Sequence, residues 1–368
     1  MAGNCSYIYL DSKIIGAAKQ IVVFFEDSIF LRENTVILIK KYKHKSAKQL
    51  AAIFEQNKIV YRFVTMADLD SLEDGIIFYP FNAQSNVRAV ANRKLKHVFI
   101  THGESNKVAS VKPIIRIYDY VITAGQAGID RFLSHGIFTL DDVKNGRIIQ
   151  MGNTFIGKTG LSKTSKGEPC LFYAPTWEGG IEQENYSSLS NIELVITTLK
   201  GLAIQYQTTQ IVIRPHPNTG HRLKHYLRLL IELIKRLSSS GLKIAIFSKN
   251  LSVTWITKWK LKRKGVQLID DLTPFYAKFG LCDISAMETQ LVNEDIPYFL
   301  FWDKKKYPNI FMDSSVYESS QFSKDYQHFI RLVEQDRHHQ FKHYLINSNR
   351  SILPFSERIP FLFKLLHS

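Results

Sequence analysis

Gln210-Ile211-Val212-Ile213-Arg214-Pro215-His216-Pro217 is the stretch on which the reading of this chain turns. Its first four residues are mostly β-branched and apolar, the signature of a buried strand. Pro215 stops the strand, and Pro217 stiffens the far side of His216, so an arginine and a histidine are presented on a loop with little entropy left to lose. A buried strand that opens into a rigid polar loop is typical of a parallel sheet, whose strands are covered on both faces and whose loops carry the chemistry.

Outward from this stretch the pattern repeats. In the second half, Leu171–Ala174, Lys243–Phe247, Val266–Ile269, Gly280–Ile284 and Pro297–Phe301 read as further strands, with helical patterns at Leu189–Tyr206 and Arg222–Ser238. In the first half the expected strands are Ile21–Phe25, Thr35–Ile39, Lys58–Val64, Gly75–Tyr79, His97–Thr101 and Tyr120–Thr123. The helices there are Ala47–Gln56, Asn82–Arg93 and Gln126–Ser134, the last stopped at His135-Gly136. Alternation of this kind predicts an α/β fold with mostly parallel sheets. The Gly-, Ser-, Thr- and Lys-rich segment Gly157–Gly167 marks a boundary, giving domains at 1–156 and 157–321 that face one another across a cleft. Helical patterns at Phe322–Glu334, Arg337–Ile346 and Pro360–Leu366 are expected to pack back across both, as a C-terminal segment 322–368.

The chain has 368 residues, 45% of them hydrophobic and 12% aromatic, enough to build a large core and to exclude disorder. A formal charge of +15 attracts polyanions without choosing among them. Two runs concentrate it, Lys41-Tyr42-Lys43-His44-Lys45 and Lys258-Trp259-Lys260-Leu261-Lys262-Arg263-Lys264; each is a solvated basic face or a contact for an anionic membrane surface. Cys5, Cys170 and Cys282 suggest neither a disulfide framework nor a thiolate zinc site, and a cytoplasmic setting is expected. With no leader pattern and no spanning run, any membrane association is expected to be peripheral, at the inner face of the cell membrane.

Four segments carry chemistry at the ends of expected strands, where ligands of open parallel sheets bind. In Thr101-His102-Gly103-Glu104-Ser105-Asn106-Lys107, His102 is either a structural histidine or a base for a hydroxyl nucleophile. In Ala174-Pro175-Thr176-Trp177-Glu178-Gly179-Gly180, Thr176 and the glycine-flanked backbone suit phosphate, against the alternative of an ordinary turn beside packed aromatics. His216 can neutralise a departing phosphate, while Arg214 binds phosphate or orders the loop. In Cys282-Asp283-Ile284-Ser285-Ala286-Met287-Glu288, Ser285 and the following amides open a helix and can hold a pyrophosphate. Asp283 caps that helix or touches ligand, and Glu288 reaches a ribose hydroxyl or sits on a solvated face.

Together these segments resemble the CDP-glycerol glycerophosphotransferase family, enzymes that build or prime teichoic acids and phosphate-containing capsules. The resemblance is carried by Thr101–Lys107, Tyr118–Gln126, Tyr173–Gly179 with Asn185–Leu189, and Arg214–Pro217, and it covers about His97 to Phe301. It implies two Rossmann-like domains of the GT-B type, with acceptor contacts in the first and the CDP-activated donor in the second. By position it implies His102 as general base and His216 as a diphosphate ligand; the residues themselves make Gly103, Thr176, Arg214, Asp283, Ser285 and Glu288 the expected donor-binding set. The acceptor would be a surface polymer or a lipid-linked molecule, CDP-polyol would be the donor substrate, and no further cofactor or metal is called for. One departure stands out. The family usually has Asp-x-Ser-Ser in the fourth segment, where this chain has Asp283-Ile284-Ser285-Ala286.

Two other readings remain open on sequence. Glu73-Asp74-Gly75 with His216-Pro217 is similar to motifs of bacterial sialyltransferases, which use a CMP-sugar on a related fold, so a CMP- or UDP-sugar donor is the alternative. A basic binding protein on a decayed transferase is the other, although no nucleic-acid module is present and no nucleic-acid partner is expected. Sequence alone leaves the oligomeric state undetermined.

Overall fold

The computed structural model describes residues 6–12, 15–41, 45–101, 104–302 and 337–367. They fall into two compact units. One comprises the described residues within Met1–Glu104, Ala109–Phe155 and His343–Ser368; the other comprises those within Ser105–Val108 and Ile156–Lys342.

The first unit runs β1 (Ser6–Leu10), α1 (Ile15–Glu26), β2 (Thr35–Lys40), α2 (Lys45–Gln56), β3 (Tyr61–Val64), α3 (Met66–Asp70), β4 (Ile76–Tyr79), α4 (Val87–Val90), β5 (Lys96–Phe99), β6 (Tyr120–Thr123), α5 (Gln126–Ser134), α6 (Leu140–Lys144) and β7 (Ile148–Gln150). Every strand pairing is parallel, in the order β3-β2-β1-β4-β5-β6-β7. That order, with the first strand central and the chain reversing direction between β1 and β4, is Rossmann-like.

Two expectations need correction. Ile21–Phe25 is not a strand but the second half of α1, and Ser6–Leu10, unassigned on sequence, is the central strand. The apolar run misleads because Val23, on the exposed side of α1, is itself apolar and hides the helical period of the buried face, which carries Ala17, Ala18, Ile21, Val22, Phe24 and Phe25. The second correction concerns Asn82–Arg93. Only a short turn of 3-10 helix at Gln84–Asn86 and α4 form there.

The core joins Ile8, Leu10, Ile37, Ile39, Phe78 and Val98 of the sheet to Phe24, Phe25 and Phe30, with Phe30 edge-on to Phe78 at 5.0 Å. The C-terminal helix Phe355–His367 adds Ile359, Leu362, Phe363 and Leu366 to the same cluster. Of the other C-terminal expectations, Arg337–Leu345 is helical, whereas Phe322–Glu334 lies outside the described residues.

The second unit runs β8 (Glu168–Ala174), α7 (Ile192–Gln205), β9 (Gln210–Ile213), α8 (His225–Ser238), β10 (Lys243–Phe247), α9 (Trp255–Arg263), β11 (Gln267–Ile269), β12 (Phe275–Asp283), α10 (Ala286–Asn293) and β13 (Tyr298–Phe301). Its sheet is again parallel, ordered β11-β10-β9-β8-β12-β13, so its reversal lies between β8 and β12. Cys170 and Cys282 are fully buried in these two strands, and burial pushes the Cys170 thiol up to about 12 and that of Cys282 higher than usual. No helix among the described residues is long and apolar enough to cross a membrane.

Gly125 shows how closely the C-terminal segment is fitted to the first unit. A Cβ there would lie 2.7 Å from the Tyr344 carbonyl oxygen and 2.8 Å from that of Leu345, and Asn347 N–H donates to the Ala124 carbonyl beside it. Gly125→Ala is expected to lower stability by about 1–3 kcal/mol, because backbone must move to admit the methyl. Urea denaturation of the two proteins measures it.

Candidate functional site

In the second unit β9, β8 and β12 are neighbours, with Tyr173 beside Ile213 and Cys282 beside Ala174. Their following loops therefore leave the same edge together, at the reversal of strand order where α/β sheets bind ligands. Asp283 ends β12, and its Oδ2 accepts the Thr176 N–H at 2.7 Å. Ser187 Oγ donates to the Thr176 carbonyl, and the Tyr173 hydroxyl shares a 2.6 Å hydrogen bond with Ser188 Oγ. From Ser105–Val108, Lys107 donates through Nζ to Thr176 Oγ1 at 2.8 Å and lies 5.7 Å from the centre of the Tyr186 ring.

Asp283 and Thr176 are buried here, and the charges of the corner respond. Burial pushes the Asp283 carboxyl up to about 7, against the opposing pull of Ser188, the Thr176 amide and Lys107. Burial also drives the Lys107 ammonium down to about 8; Asp283 resists that shift and Arg222 adds to it. An acid and a base, both titrating near neutrality, thus share one threonine.

A second cluster surrounds His216. Its Nδ1 accepts the Asn218 N–H at 3.1 Å, which leaves the proton of the neutral ring on Nε2. The ring stacks on Trp177 at 5.5 Å and 9°, and the Arg222 guanidinium lies 4.2 Å from the centre of the same indole. Glu178 is fully buried and accepts the amides of Gly220, Arg222 and Leu223 at 2.8–3.0 Å. Although burial opposes ionisation, these amides prevail and hold its carboxyl below the usual range. Glu178 therefore ties the Trp177 loop to the loop that follows His216.

Arg214 takes the loop-ordering alternative in its visible bonds. Its Nη1 donates to the carbonyls of Lys158 and Thr159 at 3.1 and 2.9 Å, and Thr159 N–H donates to Glu294. Ser285 is the N-cap of α10, accepting Met287 N–H at 3.2 Å and donating to the Asp283 carbonyl at 3.1 Å, with Ala286 as the first helical residue. Asp283 is tied to Thr176, so the capping role expected as its alternative falls to Ser285. Glu288 is buried and accepts the Tyr298 hydroxyl at 2.9 Å, which removes the solvated-face alternative.

In the first unit His102 and Gly103 lie outside the described residues. Thr101 has φ 55°, a left-handed conformation that strains a β-branched residue. Glu104 is buried, accepts the Ala124 N–H at 2.7 Å and pairs with buried Arg131. The Asn82 amide, beyond β4, has both polar atoms buried without a hydrogen-bond partner. Glu73-Asp74-Gly75 precedes β4 and so belongs to the opposite, amino edge of the sheet. Sequence reading missed Lys107, Glu178 and Arg222 as parts of a site, although Lys107 lies within the His-Gly segment and Glu178 within the Thr176 segment.

No protein-family model matches this chain, and no curated protein sequence does. Among solved structures it is similar to a UDP-GlcNAc 2-epimerase from Neisseria meningitidis bound to UDP-GlcNAc, at 12% identity and a TM-score of 0.47, over 98% of each chain. A glycosyltransferase from Rickettsia africae is similar at 10% identity and a TM-score of 0.49, over 99% of this chain and 98% of that one. The S. aureus MnaA–UDP structure is similar at 9% identity and a TM-score of 0.49, over 98% and 95%.

The raised Asp283 makes a pH prediction. Its unfolded pKa is near 3.8 and its folded value about 7, so the stability that Asp283 contributes is fully present below the first value and is lost as pH rises through the second. Asp283→Asn, which keeps an oxygen for the Thr176 amide, is expected to flatten that decline in urea titrations run from pH 4 to pH 8. An unchanged slope would show that Asp283 ionises normally.

Proposed function

We propose that the chain is a polyol-phosphate transferase, moving glycerol-phosphate or ribitol-phosphate from a CDP-polyol to a hydroxyl of a surface glycan or lipid-linked acceptor, with release of CMP. The observation that carries the reading is the Lys107–Thr176–Asp283 corner at the strand reversal of the second sheet, next to the stacked His216 and Trp177.

Phosphoryl transfer asks a protein for positioning and charge neutralisation more than for covalent chemistry. The acceptor oxygen attacks the β-phosphorus, the bond from that phosphorus to the CMP oxygen breaks, and the hydroxyl proton passes to His102. Lys107 and the Nε2–H of His216 face the charge that builds on the departing phosphate. Donors already fixed by the fold need no reorganisation as that charge develops. The Ser285-capped start of α10 adds backbone N–H groups beside Asp283. Ala286 stands where the resembling family has a second serine, one hydroxyl fewer toward the donor. The sugar-donor alternative loses support from its acidic triplet, which lies at the wrong edge of the first sheet.

Incubation with CDP-glycerol, CDP-ribitol, and CMP- and UDP-sugars, with and without lipid-linked acceptors, tests the reading through nucleotide release. CMP from a CDP-polyol is the expected product; turnover of nucleotide sugars alone overturns it. His102→Ala is expected to abolish transfer and spare donor binding.

Lys107→Met is expected to weaken CDP-glycerol binding roughly 10–100-fold, the loss of one charge-assisted hydrogen bond. An anion beside Lys107 and Asp283 favours the protonated form of both. Donor binding near pH 7.5 is therefore expected to take up protons, seen as a dependence of calorimetric heat on the buffer's ionisation enthalpy, and Lys107→Met reduces it.

A further inference from the structure

The second basic run forms α9, and α9 is unusual for a helix of a water-facing unit. Trp255 is 76% exposed, Trp259 50% and Ile256 46%, while Leu261 is buried. Helical periodicity puts Trp255, Trp259 and Arg263 on one line with Ile256 beside it, and Leu261 on the opposite side. Lys258 and Lys262 flank the apolar line on one side and Lys260 on the other. Arg263 lies over the Trp259 ring, 4.7 Å from its centre. No acidic residue occurs between Lys249 and Ile269.

Basic charge continues beyond the helix. Lys264 lines an open groove of about 490 Å³ together with Lys200, Lys235, Arg236, Ser239, Ser240 and Glu232. Arg236 is engaged by Glu193, and the three lysines outnumber Glu232, so the groove is positive.

We infer that the exposed face of α9 docks on an anionic lipid surface, with Trp255, Ile256 and Trp259 seated among the headgroups and Lys258, Lys260, Lys262 and Lys264 over their phosphates. Two indoles held outward within a cationic frame match the interfacial zone of a bilayer, where an apolar body and a polar N–H are both accommodated. Anionic headgroups supply the complementary charge. The inference stands apart from the transferase reading, since it needs neither donor nor acceptor.

Flotation of the full chain with vesicles tests it. Binding is expected to phosphatidylcholine vesicles containing phosphatidylglycerol, to weaken as salt rises, and to be slight on phosphatidylcholine alone. Trp255→Ala with Trp259→Ala is expected to weaken binding roughly tenfold or more, for loss of the seated apolar area. Lys262→Glu with Lys264→Glu is expected to do the same, at about 1 kcal/mol for each lysine removed. Brominated lipid is expected to quench tryptophan fluorescence in the parent and not in the Trp255→Ala, Trp259→Ala protein. Both double variants replace exposed side chains, and an unchanged melting temperature confirms their folding. The inference is overturned if vesicles do not bind, or if both variants bind as the parent does. It is equally overturned if sedimentation shows that the face pairs two copies, or if it captures single-stranded RNA in preference to vesicles.

Discussion

Parallel register is the constraint from which the second unit's site follows. Because β8 and β12 run side by side in one direction, with Cys282 level with Ala174, the chain leaves both strands at the same height. A backbone amide two residues beyond β8 then meets a carboxylate at the tip of β12. Asp283 and Thr176 are both buried there, so the carboxylate must be stabilised by its neighbours or stay protonated. Thr176 serves it through the amide and serves Lys107 through the hydroxyl, which places cation and anion around one side chain. Removing any one of the three leaves a buried partner unsatisfied.

The first unit uses charge differently. At the ends of β1 and β2, Lys40 pairs with buried Asp11 at 2.8 Å, and farther along the edge Glu104 pairs with Arg131. Glu104 fixes the end of the segment that contains His102, while Thr101 holds a strained backbone at its start. These groups shape a loop. The second unit's Lys107 and Asp283 are instead poised to change protonation when charge arrives beside them.

Much of the architecture could be read from periodicity, since strands such as Gln210–Ile213 and Lys243–Phe247 are short, apolar and closed by turn residues. Failures had physical causes. Ile21–Phe25 belongs to a helix whose exposed side carries the apolar Val23, and the unbroken apolar run that results looks the same as a buried strand. Ser6–Leu10 has a serine and two tyrosines among its five residues and lacks the aliphatic run that marks Gln210–Ile213, although it is central to the sheet. At the site, His216 and Thr176 announce themselves by their strand-end motifs, but the partnership of Lys107 with Thr176 spans 69 residues of sequence. No local pattern records such a contact. Arg214 carried two roles on sequence, and only the position of the Lys158 and Thr159 carbonyls shows which one its visible bonds perform.

The two buried cysteines lie in β8 and β12, the strands whose ends build the corner around Thr176. Their thiols stay protonated and shielded while those strands remain paired, because only the thiolate reacts. They therefore act as an internal clock for the second unit. The speed with which Cys170 and Cys282 are modified measures how often its central strands part, and a molecule that clamps the corner slows the clock without touching sulfur.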